Sequence, residues 1–246
     1  MWFQRVVFIV LAFVAVLGPC SMVALGTLSQ DASDLLNRAT ADFLSGRIER
    51  SVAGFDQVVE LAPEMAPYLW QRGIALYYMG RYDDCRAQFE SHRTVNPNDV
   101  ENAAWHFLCF ARLQSPEEAR KALLPVGHDS REPMMTIYKV FRGENRPEDL
   151  LPVISTGALA RFYAYLYLGL YYEALGREVE AYQYISVAAD DDYGIGGYMH
   201  GVAKLHLAWL QRKQEQPLEP PFFLSGGCQG LIRMALLPAP KIHQWQ

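Results

Sequence analysis

A repeat at a spacing of 34 residues constrains this chain more than any other feature. Laid over residues 66–99, residues 32–65 bring Ala39 onto Gly73, Gly46 onto Gly80, Phe55 onto Phe89 and Pro63 onto Pro97. Self-similarity at periods of roughly 20–50 residues marks folds in which each unit buries its apolar face against the next. Every column has a physical role. The small residue at 39 and 73 lets the second helix of a pair approach the first. Gly46 and Gly80 suit a reversal that demands positive φ. Phe55 and Phe89 are expected to fill the gap toward the next pair, and Pro63 and Pro97 to stop the second helix. The chain therefore reads as all-α.

A further copy starts near Phe162. Gly169 stands for Gly73, Gly176 for Gly80 and Ala181 for Cys85, with Ile185 and Ala188 completing the second helix and Tyr193 where a proline is expected. Gly73 to Gly169 is 96 residues, six short of three periods, so the units between are worn. These columns match the tetratricopeptide consensus, which residues 68–82 resemble most. That resemblance implies an α-solenoid, a right-handed superhelix of antiparallel helix pairs, over residues 32–212. In the worn middle, residues 101–113 read as a helix, and Ser115-Pro116-Glu117-Glu118 opens another with serine as cap and proline in the first turn. Residues 142–146 read as a loop, 147–155 as a short helix and 198–212 as a closing helix. Residues 213–246, with Pro217, Pro220, Pro221, Gly226, Gly227, Pro238 and Pro240, read as a loosely attached tail holding a short helix around 231–237.

Residues 1–26 form an export signal or membrane anchor. Arg5 is followed by an almost wholly apolar run from Val6 to Leu17, and the next charge is Asp31. Three fates are open. Ala24-Leu25-Gly26 suits signal-peptidase cleavage. Leu17-Gly18-Pro19-Cys20 resembles a lipoprotein box with Cys20 as the lipid-bearing residue, although Pro19 is unfavourable there. An uncharged stretch of about 21 residues is close to the ~20 that span a bilayer, with Gly18-Pro19 as a break. Each fate places the folded part outside the cytoplasm, in the periplasm or anchored at the cell envelope.

The segment from Arg72 to Tyr78, Pro97-Asn98-Asp99, Phe162-Tyr163, Leu168-Gly169, Tyr171-Tyr172 and Leu175-Gly176 resemble the NlpI class of bacterial envelope lipoproteins, as does the order of elements over residues 32–210. The resemblance implies a periplasm-facing scaffold that brings cell-wall hydrolases and proteases together, as a homodimer. Pro19 before Cys20 departs from that class, and so does the single regular repeat preceding Arg72-Gly73.

A non-catalytic protein- or peptide-binding role follows from the repeat reading, with a concave wall built from the first helix of each pair. By register that wall carries Trp70, Ile74 and Tyr77 in one copy and Tyr163, Leu166, Leu170 and Glu173 in the other. The alternative for each aromatic is packing against a neighbouring helix. A net charge of -5 lacks the basic footprint that phosphate backbones need, which excludes nucleic acid as a partner class. No cofactor or metal is expected. His200 and His206 lie six apart on one helix and do not converge, His92 and His106 read as structural, and Asp190-Asp191-Asp192 lacks calcium-loop spacing. Cys85 and Cys109 fall within helical patterns, where they act as apolar filler or pair in an oxidising compartment. Two other roles stay open: an enzyme with its site in residues 99–160, or a passive membrane-anchored structural protein.

Overall fold

The computed structural model describes residues 19–155, 157–193 and 196–215. Most of the apolar leader, residues 1–18, and the tail from 216 onward lie outside the described residues, as does the side chain of Cys20. Among the described residues every regular element is helical. In chain order these are α1 (Pro19–Leu44), α2 (Ile48–Leu61), α3 (Trp70–Met79), α4 (Tyr82–His92), α5 (Val100–Leu113), α6 (Pro116–Lys121), α7 (Met134–Arg142), α8 (Ala158–Ala174), α9 (Glu178–Ala188) and α10 (Gly197–Glu215). Short 3-10 turns cover Pro63–Tyr68, Pro147–Ser155 and Asp191–Tyr193.

Three helical hairpins, α1–α2, α3–α4 and α8–α9, share one construction. Each turns on a glycine at positive φ: Gly46 at 73°, Gly80 at 78° and Gly176 at 72°, where a side chain would be strained. Small residues then set the helix separation. A Cβ on Gly73 would stand 2.6 Å from the Phe89 ring, and one on Gly169 would stand 2.5 Å from Ile185. In the first hairpin the contact is reversed, with Gly54 giving way to Ala39. Phe89 thus plugs its own hairpin, where the sequence suggested it would reach toward the next.

The proline columns behave differently from one another. α2 ends at Leu61 and Pro63 opens a 3-10 turn. α4 closes at His92 on backbone turns through Asn96, so Pro97 does not stop it. In the middle, Asp99 caps α5 by accepting from the Glu101 amide, and Ser115 caps α6 from the Glu118 amide, with Pro116 behind it. α7 opens without a side-chain cap but closes on Gly143 at a φ of 75°, with the same backbone bonds as at Gly80 and Gly176, inside the stretch 142–146 that reads as a loop.

Most consecutive helices pack in chain order, α7 packs on α5 and α8, α8 crosses back onto α5, and α10 lies on α9 and returns to α1. The return is close: Phe43 of α1 stacks on Tyr198 of α10 with ring centroids 5.5 Å apart. A Cβ on Gly201 would meet Leu44 at 2.4 Å. Trp105 and Tyr167 are the largest side chains sealed in the core that results. α1 runs unbroken from Pro19, so the boundary read between leader and repeat falls inside one helix. Among the described residues no helix is long and apolar enough to cross a membrane.

Candidate functional site

The residues assigned to a concave wall divide sharply. Ile74, Tyr77, Leu166, Leu170 and Glu173 are buried in the core, whereas Trp70 and Tyr163 are half-buried. For the five buried residues this is the alternative reading, packing against neighbouring helices. α8 and α10 fold back against α3 and α5, and what would have been a free inner surface becomes a seam.

Polar groups pin that seam. The Tyr77 hydroxyl of α3 donates to Glu173 Oε2 of α8 at 2.8 Å, and Arg112 of α5 bonds both the Tyr77 oxygen, at 3.2 Å, and Glu173 Oε1. The Arg112 guanidinium also lies 5.6 Å from the Trp209 ring of α10. Burial draws the Arg112 pKa down, but Tyr77 and Glu173 opposite more than offset it, so the group is held firmly charged. Burial, then the Glu173 charge, drive the Tyr77 phenol well above its ordinary range. Three helices thus meet on one buried carboxylate, and α10 joins them through Arg112.

His206 belongs to the same seam. Its Nδ1 pairs with the Tyr78 hydroxyl at 2.9 Å, and its Nε2 has no partner in the protein. Burial, followed by the charges of Arg112 and Lys213, pushes its pKa from 6.5 down to about 3. A depressed histidine leaves the unfolded chain binding more protons, so its contribution is complete above pH 6.5 and is lost as pH falls toward 3. The developed slope is about 1.4 kcal/mol per pH unit. Between pH 6.5 and 5 the protein should lose about 2 kcal/mol from this group; His106, lowered by burial, acts in the same direction. Denaturant melts across this window should flatten in His206→Gln, which keeps an acceptor for Tyr78. An unchanged slope in that variant would refute the assignment.

One opening survives beside the seam. A cavity of about 210 Å³ is lined by Trp70 and Ile74 of α3, Phe89 and His92 of α4, and Asn102 and Trp105 of α5. Asp99, Glu101, Arg131 and Met199 complete it. Its polar side is crowded with acid. Arg131 bonds Asp99 at 2.6 Å, Glu101 at 2.7 Å and Asp129 at 2.7 Å, three carboxylates on one guanidinium. The second Glu101 oxygen accepts from the Tyr167 hydroxyl at 2.7 Å. Burial and the adjacent Asp99 raise the Glu101 carboxyl above its ordinary range, with Tyr167 and Arg131 opposing. Three of the lining residues carry buried polar atoms without a protein partner: Asn102 Oδ1, His92 Nε2 and Trp105 Nε1.

Of the residues read as a wall, only Trp70 and Ile74 line this cavity. Asp99, Glu101, Asn102, Trp105 and Arg131 were not singled out. Asp99 and Glu101 flank the start of α5, where acids serve as ordinary caps. Arg131 is 30 residues beyond Glu101 in a loop, and nothing local marks it. Among the described residues no histidine, cysteine or carboxylate group is disposed to hold a metal. Cys85 and Cys109, both fully buried, are joined in a disulfide that ties α4 to α5, with Cα atoms 6.0 Å apart. No protein-family model matches the chain, and no curated protein matches it either.

Proposed function

We propose that this chain is an exported, non-catalytic interaction protein of tetratricopeptide type, which receives a peptide segment of a partner protein at the cavity beside Trp70 and Trp105. The observation that carries the reading is the cavity itself: Trp70, Phe89 and Trp105 in its lining, beside buried polar atoms that have no partner in the protein. Aromatic residues around a desolvated pocket are the usual anchors of protein interfaces. Three hairpins with glycine at matching turns support the repeat reading. The disulfide supports an oxidising compartment, in keeping with the apolar leader. Envelope location, with the soluble part facing the periplasm and Cys20 or the leader as anchor, completes the reading. A homodimer and cell-wall enzymes as partners rest on the NlpI-class resemblance alone.

An enzyme with its site in residues 99–160 is the second reading, and the raised Glu101 beside Asp99 favours it. Geometry weighs against it. Arg131 and Tyr167 already engage both Glu101 oxygens, and Arg131 ties Asp99, so neither carboxyl is free to move a proton.

A photo-crosslinking residue at position 70 should capture discrete protein adducts in the envelope fraction. The same residue at Val179, exposed on α9, should not. Identical adducts at both positions would sink the proposal.

A further inference from the structure

Beyond accepting a peptide, the cavity has a charge and a set of unmet hydrogen-bonding groups that select what enters it. We infer that it receives a single organic cation, a guanidinium or alkylammonium group carried on an apolar stem, and that a basic side chain of the bound peptide supplies it. This rests on the peptide-binding reading for its source, though not for its chemistry.

Charge comes first. Asp99, Glu101 and Asp129 share Arg131, a balance of -2 when all are ionised. With Glu101 protonated it is still -1. The start of α5 contributes about half a positive charge, which does not cancel either figure. An anion would face two carboxylates on the lining and a guanidinium that already spends four of its five N–H donors on Asp99, Glu101 and Asp129. A cation would complete the balance.

Unmet hydrogen bonding is the second strand. Asn102 Oδ1 and Trp105 Nε1 have no partner in the protein, and neither has His92 Nε2, whose Nδ1 pairs with the Pro67 carbonyl at 2.8 Å. An N–H group on the guest suits the Asn102 oxygen.

Shape is the third strand. Trp70 and Trp105 supply faces on which a cation is attracted by the ring quadrupole. Ile74, Phe89 and Met199 line the space that a methylene stem would fill. At roughly 30 Å³ per water, the cavity holds about seven waters, enough for one side-chain head and part of its stem. It is too small for a folded element.

Isothermal titration of the full chain separates the possibilities. Agmatine and an Ac-Gly-Arg-Gly-amide peptide should both bind, and Ac-Gly-Glu-Gly-amide should not. Asp99→Asn keeps the cap on α5 while removing one charge, and should weaken both cations about tenfold or more. Trp70→Ala should weaken them similarly. Circular-dichroism melts of both variants close to that of the parent would show that the fold is kept. Binding of neither cation, or equal affinity in Asp99→Asn, would overturn the inference. If agmatine bound and the arginine peptide did not, the cation site would stand and the peptide reading would fall.

Discussion

Arg112→Met should lose about 3–5 kcal/mol in urea denaturation, the cost of leaving a buried carboxylate without its counter-charge. Glu173 is only 1% exposed at its side chain, and Arg112 supplies its one ion pair. The Tyr77 hydroxyl remains as a donor, but a neutral donor does not replace a guanidinium. Removing both charges is expected to cost less than removing one. In Arg112→Met/Glu173→Gln the amide still accepts from Tyr77 and no charge is stranded, so the double variant should recover most of the loss. A single variant within 1 kcal/mol of the parent, or a double variant worse than the single, would show that the seam is not held this way. Because the four helices that meet here are distant in sequence, the single variant should also loosen the packing of α10.

Reduction of the Cys85–Cys109 disulfide should cost about 3 kcal/mol, from the loop entropy returned to the unfolded chain for a separation of 24 residues. Both sulfurs are buried, so reductant should act on the native protein slowly and on the unfolded chain readily. The expected result is a lower denaturant midpoint in reductant, with a Cys85–Cys109 linked peptide found by mass spectrometry before reduction. Cys85→Ala/Cys109→Ala should show no response to reductant. A parent whose midpoint ignores reductant, with no linked peptide, would remove both the cross-link and its support for an oxidising compartment.

Much of the helical framework was legible because its determinants are local. Gly46, Gly80 and Gly176 each mark a reversal that only positive φ permits, and the Gly73–Phe89 and Gly169–Ile185 contacts fall in matching columns. Ser115 and Pro116 announced α6 by cap chemistry. α7 ends on a glycine of the same kind, Gly143, but lies where the 34-residue columns are lost and opens without a capping side chain. The site was far less legible, because burial of Tyr77, Leu166, Leu170 and Glu173 depends on where α8 and α10 come to rest. Register on one helix says which residues share a face. It says nothing of whether a helix about a hundred residues later will cover that face. Arg131 meets Asp99 and Glu101 for the same non-local reason.

The contact between Phe43 and Tyr198, and that between Gly201 and Leu44, bear on how the molecule comes apart. An open row of paired helices frays from its ends, each terminal unit held by one neighbour. Here, among the described residues, the last helix grips the first, so neither end of the described row can peel away alone. Loss of structure must begin by parting that clasp, and once it parts, the buried carboxylate and its rings are exposed to water together. Melting should accordingly be concerted, in one step, rather than unit by unit.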